Sequence, residues 1–585
     1  MLTEIPQLAA QKATTNAELD AALARLQKQK QAWATLAVRE KAMLLDELAE
    51  KVGAVSEHWA VAACAAKGIP EGSPLAGEEW LSGPWALMSG AHGYARTLRA
   101  VAERGAPEIP ASAMHKRPDG QLVVDVFPAS AYDSLLLSGI TGEVWMEPGV
   151  SPENLHDHMA AFYRERSPIG KVALVLGAGN IASIGPLDVL YKLVAEGQVC
   201  LLKMNPVNEY LGPFLAEAFA SYIARGYVEI AYGGVEVGEY LTAHAAVEEI
   251  HITGSARTHD VIVFGPGAEG EARRLKNEPR NTRRVTSELG NVSPIIVVPG
   301  PWSAADLRYQ AEHIATMKMH NGGFNCVAGQ VLVLPETWDL TASLVEEITT
   351  VLKALPNRSA YYPGAASRQA AAVSAHPDAM LLDAPAPGQT PRTLVPNVPA
   401  TKADDDAFVT EAFCSVLSET HLPGATAAEF LANAVRFCND TLWGTLGCNL
   451  LVHPTTATEL GPVLEDAIAQ LRYGCVAVNA WTGVGFLLNQ TSWGAFPGHT
   501  LSDVRSGIGV VHNTLLFDRP QKSVVRQSFY PMPRGLLHGS FAILPKPPWF
   551  ITNTSAATTA RRFVAFERAP SVLKLPGIFA SALQG

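Results

Sequence analysis

Apolar residues recur at helical spacing through residues 14–65, "NAELDAALARLQKQKQAWATLAVREKAMLLDELAEKV", and the pattern predicts a helix there with Thr15 and Asn16 available as caps. The pattern changes at 118–131. "QLVVDVF" and the later "GEVWMEPGV" are β-rich runs separated by small and turn residues, which predicts a hairpin-like excursion, either an oligomer interface or a simple edge strand. From residue 171 the chain alternates strand-like and helix-like segments. "KVALVLGAG" breaks at glycine, "DVLYKLVAEG" ends at Gly197, and "QVCLLKMNP" ends at proline; "VEIAYGG", "EVGEYLTAHAAV" and "EEIHITGS" repeat the alternation. Repeated strand–loop–helix units of this size imply a doubly wound parallel sheet, whose ligands sit at the carboxyl ends of its strands. The polar residues expected at those ends are Asn180, Lys203, Tyr232, Gly254 and Ser255.

Length and composition narrow the class. At 585 residues the chain exceeds one simple core, and roughly 100–200 residues per domain suggests two to four domains. The formal net charge of -11 argues against nucleic acid or an anionic membrane as partner, because both select basic surfaces. "MLTEIPQLAAQ" lacks the basic and apolar regions of a secretory signal, and no window approaches the roughly 18 apolar residues of a membrane helix, so a cytoplasmic protein without a clear membrane segment is expected. The seven cysteines, at 64, 200, 326, 414, 438, 448 and 475, form no CxxC pair, which disfavours a disulfide framework and a zinc site. Any special cysteine acts through its own chemistry.

One cysteine stands out by its surroundings. "HNGGFNCVAGQ" sets Cys326 among small, flexible residues; a cysteine chosen at random packs as a small hydrophobe more often than it reacts. "GAGNIAS" matches only half of a dinucleotide glycine fingerprint, a weak signal alone. "RVTSELGNVSPIIVVPG" puts Glu288 at a strand-to-loop junction, and "VTEAFCSVLSE" puts Glu411 beside Phe413.

Together these segments resemble the aldehyde dehydrogenase superfamily. "SELGN" is similar to its general-base motif, "NGGFNCVAG" to its cysteine motif, "EAFCSV" to its Glu-x-Phe cofactor motif and "HITGSAR" to its phosphate loop. "GNIASIGP" stands where the oxyanion asparagine belongs, "LLKMNP" where the lysine strand belongs and "GCVAVNAWTG" where a late Val-Asn segment belongs, with the order preserved from about residue 165 to 510. The resemblance implies an α/β, aldehyde dehydrogenase-like fold. Its nicotinamide dinucleotide-binding domain would comprise 1–117 and 150–287, its catalytic domain 288–502, and a small β-rich oligomerisation element 118–149 with about 503–527. Residues 540–585 form an extension of unassigned role whose prolines exclude a long helix and whose final apolar patch is too short for a bilayer.

The same resemblance implies roles. Cys326 would attack an aldehyde, Asn180 would steady the resulting oxyanion, and Glu288 would take a proton from the deacylating water. Lys203, Asn205, Gly254, Ser255, Glu411 and Phe413 would hold the cofactor, NAD or NADP, with NAD slightly favoured. Pro206 stands where NAD-preferring members often carry a glutamate, and Arg257 could pair with a 2′-phosphate. His259 and Cys414 stand where the family often has glycine. "GAGN" is closer to fatty acyl-CoA reductases, which makes a coenzyme A-acylating enzyme the alternative. Retention of Glu288 favours hydrolysis, and a non-catalytic binding or structural member is a third reading. No metal is implied. The substrate expected is a small aldehyde, preferably apolar or aromatic, with Phe324, Trp481, Phe486 and Trp493 as possible tunnel walls; a homodimer or homotetramer is implied by the resemblance alone.

Overall fold

Runs of β-branched and leucine residues form buried parallel strands here, and the glycines or prolines that end each run turn the chain into a crossover helix. The computed structural model describes residues 11–540, 542 and 544–585. The opening decapeptide on which the absence of a signal was read lies outside the described residues, as do Phe541 and Ile543.

Two sheets organise the molecule. The six-stranded sheet runs Gly507–Ile508, Arg284–Leu289, Glu249–Gly254, Val172–Leu176, Val199–Lys203, Val228–Ala231, with every pairing parallel except that of Gly507–Ile508. Strand order reverses at Val172–Leu176, so a crevice opens beyond the carboxyl ends of that strand and of Glu249–Gly254. The second sheet has eleven strands. From Pro520–Gln527 through Cys475–Val478, Gly447–Leu451, Ser293–Val297, Gly329–Pro335 and Val416–Leu422 to Thr393–Val395 its neighbours are parallel. The fold is therefore α/β with two parallel-rich sheets, as the alternation of segments implies.

The β-rich runs before residue 150 pair as Leu122–Phe127 against Ile140–Met146, with a short helix, Ala131–Leu136, between them. Ile140–Met146 in turn pairs antiparallel with Pro520–Gln527, so these strands continue the edge of the eleven-stranded sheet.

The predicted helix at 14–65 is two helices, Asn16–Ala34 and Val38–Ala66, broken at residues 35–37. The first is closed by a capping box in which Thr15 and Glu18 satisfy each other's backbone N–H groups, so Thr15 is the cap and Asn16 the first helical residue. The extension after residue 540 holds a longer helix than its prolines suggest, because Ala556–Arg568 falls in the proline-free stretch between them. It packs on the chain's own N-terminal helices. A Cβ on Gly77 would stand 2.8 Å from the Ala556 carbonyl carbon, Arg561 pairs with Glu57 at 2.7 Å, and His92 meets Glu567 at 2.8 Å. No helix of the described residues is long and apolar enough to cross a membrane.

Candidate active site

The crevice is a cleft of ≈ 1430 Å³. All nine residues singled out from the sequence line it: Asn180, Lys203, Asn205, Gly254, Ser255, Glu288, Cys326, Glu411 and Phe413. Tyr232 does not. It turns away to pack on Gly212, and its backbone N–H donates to the Thr14 hydroxyl at 2.9 Å.

Cys326 is delivered by a tight turn at the end of the helix Ala304–Met319. Asn321, Gly322 and Gly323 adopt left-handed conformations (φ 55°, 67° and 82°), and a Cβ on Gly323 would meet the Cys414 carbonyl oxygen at 2.7 Å. Only glycine fits there. The turn leaves Cys326 half-buried, its thiol donating towards Glu288 Oε1 at 3.6 Å. Burial, then the neighbouring Glu288 and Glu411 carboxylates, push this thiol well above its ordinary value, so it rests protonated.

Glu288 lies within the strand Arg284–Leu289, not in the loop beyond it. It is almost wholly buried. Burial first, then the charge of Asp188, raise its carboxyl to about 7, while the neighbouring Trp493 and the Cys326 thiol work the other way. A carboxyl with that affinity exchanges a proton near neutral pH.

Asn180 sits in the loop between Val172–Leu176 and the helix Ile184–Val194, with one amide hydrogen donated to the Phe324 carbonyl at 2.9 Å. Its own carbonyl accepts from Lys67 Nζ (2.9 Å), Asn321 Nδ2 (3.1 Å) and Tyr361 Oη (3.2 Å), a fixation absent from the sequence reading. The Cys326 loop and the Asn180 loop are thus tied by Asn321, which also donates to Phe324 O at 3.1 Å. A Cβ on Gly179 would stand 2.7 Å from Asn205 Oδ1, so this glycine lets the asparagine loop close on the segment after Lys203.

On the far side of the cleft, Glu411 accepts the Asn291 N–H at 3.2 Å and presses against Gly290, where a side chain would collide with it. Burial raises Glu411 to about 7, opposed by that N–H, Arg368 and Lys318. Arg368 donates to the carbonyls of Ala412 (3.0 Å) and Phe413 (3.1 Å), which holds Phe413 at a left-handed φ of 41°. Among the described residues Lys203 Nζ has neither a hydrogen bond nor an ion pair, although Lys203 is buried. An unpartnered ammonium at a strand end, a glycine-lined approach and the start of the helix Ala256–Phe264, where Ser255 is the N-cap directly after Gly254, suit a phosphate- and ribose-bearing dinucleotide.

Arg257, Arg280, Arg283, Tyr362 and Trp443 also line the cleft. Of these the sequence reading found only Arg257; "EPRNTRR", a run of arginines just before a strand, is the signal that points to Arg280 and Arg283. The aromatic tunnel expected from Phe324, Trp481, Phe486 and Trp493 is not part of the cleft. These rings are packed inside: Phe486 meets Trp493 edge-on at 5.6 Å, and Trp481 lies 4.7 Å from His320. Cys414 and His259 are likewise buried packing residues. Among the described residues no cluster could hold a metal ion.

Comparison with known proteins agrees with this layout. Residues 141–376 match the model of the aldehyde dehydrogenase family. A coniferyl aldehyde dehydrogenase of a Pseudomonas species is 27% identical over 216 residues, an alignment spanning 36% of this chain and 39% of the relative. Among solved structures, the NADP-dependent glyceraldehyde-3-phosphate dehydrogenase of Bacillus halodurans, complexed with NADP, superposes with a TM-score of 0.59 at 18% identity, covering 88% of this chain and 92% of that one. The gamma-glutamyl-gamma-aminobutyraldehyde dehydrogenase of Burkholderia cenocepacia gives 0.58 at 19%, covering 88% and 89%. The family-model match runs through the strands that carry Lys203 and Glu288 and the loops that carry Asn180 and Cys326, so the part of the chain that supplies these residues is similar to the aldehyde dehydrogenase family, and the solved structures share its fold.

Proposed function

We propose that the protein oxidises an aldehyde to a carboxylic acid with NAD or NADP, through a thiohemiacetal and a thioester on Cys326. The observation that carries this reading is the 3.6 Å approach of the Cys326 thiol to a Glu288 carboxylate of neutral-range proton affinity, in the cleft that Asn180 also lines.

Glu288 takes the thiol proton as the sulfur attacks the carbonyl carbon. The oxygen gains negative charge and receives the Asn180 amide hydrogen that Phe324 leaves free, together with the backbone N–H of Cys326. When bound, the nicotinamide supplies the acceptor for the hydride that leaves this carbon. Lys203 and Glu411 would hold its two riboses, Gly254 and Ser255 the pyrophosphate, and Asn205 and Phe413 the flanking surfaces. Once Glu288 has released the thiol proton to solvent, in deacylation it accepts a proton from water as the water oxygen bonds to the carbonyl carbon, and the carbon–sulfur bond breaks with its electron pair returning to Cys326 as the thiolate.

The cofactor choice follows from charge. Lys203, Arg257, Arg280 and Arg283 line the cleft and Pro206 offers no carboxylate, so the site tolerates a 2′-phosphate as well as a hydroxyl. Retention of Glu288 beside the thiol favours water over coenzyme A as acyl acceptor. A small aldehyde entering by the cleft is the substrate class; the division at residues 117, 149, 287 and 502, an oligomer built on the 118–149 edge strands, and a cytoplasmic setting belong to the same proposal.

The test is a panel of aldehydes assayed with each dinucleotide, with and without coenzyme A, on the parent chain and on Cys326→Ala. Reduction at 340 nm without coenzyme A in the parent, and its loss by at least about a thousandfold in the variant, are expected. Turnover only with coenzyme A would replace the hydrolytic reading by the acylating one; equal turnover in the variant would end both.

A further inference from the structure

Next to Glu288, on the same face of its sheet, lies a second group of buried polar side chains that the proposed chemistry does not use. Parallel pairing sets Thr253 opposite Glu288 and His251 opposite Thr286, so all four side chains share one face of the six-stranded sheet. The helix Ile184–Val194 covers that face with Asp188, which is completely buried. Thr253 donates its hydroxyl to Asp188 Oδ2 at 2.9 Å, and His251 Nε2 lies 3.4 Å from the same oxygen. The other ring nitrogen, Nδ1, is 2.9 Å from the Thr286 hydroxyl.

These contacts do not satisfy the group. Asp188 Oδ1, Glu288 Oε2, Trp493 Nε1 and His512 Nε2 are all buried and have no hydrogen-bond partner among the described residues. Each unpaired buried polar atom lowers stability, so a fold selected for stability alone would replace them by apolar groups. Their concentration around one carboxyl instead marks a place where charge and protons are managed. Two carboxylates within electrostatic reach in a water-poor interior cannot both ionise freely.

We propose that Asp188 is a positioning residue for Glu288: its carboxyl group beside the base, fixed by Thr253 and His251, governs the proton exchange of Glu288. This rests on the reading of Glu288 as the base of the proposed reaction. The groups facing Glu288 are Cys326 from the cysteine loop, Asp188 from the covering helix, His251 and Thr253 from the adjacent strand, and Trp493 from the strand Trp493–Gly494. Glu411 acts on the thiol from across the cleft, and His512 faces Asp188 from the segment after Val510–Val511. Of the groups facing Glu288 only Asp188 is a second carboxyl group.

The experiment uses the full chain and Asp188→Asn, which keeps the shape and removes the charge. Alkylation of Cys326 by iodoacetamide is followed against pH through the mass of its peptide; its onset reports the first ionisation of the Cys326–Glu288 pair and requires no turnover. In parallel, the pH profile of kcat is recorded with an aldehyde and a dinucleotide. With the like charge gone, the pair ionises more readily, and both midpoints move down by about one unit, a tenfold change in proton affinity. Asp188→Ser carries the same expectation. A folded variant with an unshifted alkylation midpoint, even one with lower kcat, overturns the proposal, and so does unfolding of both variants, since it makes Asp188 purely structural. A shifted midpoint in a chain that oxidises no aldehyde sinks the proposed reaction and sustains this inference.

Discussion

A single carboxyl, Glu288, carries much of the pH behaviour expected of this protein. Burial raises it from 4.5 to about 7, with Asp188 adding to the rise, and only its ionised form accepts a proton. Turnover is therefore expected to climb as pH rises through about 7. Between 4.5 and about 7 the folded chain holds a proton on this group that the unfolded chain lacks, so the group's contribution to stability falls as pH rises across that window. Glu288→Gln should lower kcat by roughly 10²–10⁴-fold and let the thioester on Cys326 accumulate, visible as added mass on the cysteine peptide. The same variant should flatten the pH dependence of Tm across that window. A variant that turns over at the parent rate would remove Glu288 from the mechanism.

At the scale of elements, the helix Ala304–Met319 and the turn after it form one device for placing a thiol. Ser303 and Asp306 close its start with a capping box, and its end passes into three successive left-handed residues. Gly323 lets the turn lie against the Cys414 backbone, which in turn brings the segment bearing Glu411 and Phe413 to the cleft. Gly323→Ala puts a methyl group 2.7 Å from the Cys414 carbonyl oxygen at a φ of 82°. A strain of about 1–3 kcal/mol is expected there, relieved by a shift of the cysteine loop. Activity should thus fall by a larger factor than the modest drop in Tm accounts for. An unchanged kcat alongside a lowered Tm would show that the turn supports the fold without placing the thiol.

Across the whole molecule, the extension after residue 540 belongs to the folded body. Phe563, Val564 and Phe566 of the helix Ala556–Arg568 are buried, Phe566 meets Tyr132 edge-on at 5.1 Å, and Arg568 pairs with Glu50 across the surface. The Arg561–Glu57 and Arg568–Glu50 ion pairs are exposed and add little; the rings carry the docking. Phe563→Ala is expected to cost about 3 kcal/mol in denaturant unfolding, well beyond the effect of Arg561→Ala. Equal, small effects of the two would make the extension a loosely attached tail. Some of this architecture was legible in the chain and some was not. Period-two and apolar runs ended by glycine or proline specify strands such as Val172–Leu176 and Val199–Lys203, because backbone geometry at those residues is a local matter. The break at 35–37 is not legible because residues on both sides keep the same helical spacing, and the helix Ala556–Arg568 is not because prolines stand on either side of its short proline-free stretch. Motif order likewise led to nine residues that line the cleft, though not to Arg280, Arg283, Tyr362 or Trp443, whereas the aromatic tunnel failed because composition cannot say whether a ring faces a void or another ring. By itself, then, the sequence determined the residue types, their order and the local geometry that puts each at the end of a strand or in a glycine turn. Tertiary structure alone decided that Asp188 lies beside Glu288, that Lys67, Asn321 and Tyr361 grip the Asn180 carbonyl, and which carboxyls rise towards neutrality, because burial and distance between segments far apart in the chain exist only once the sheets have packed.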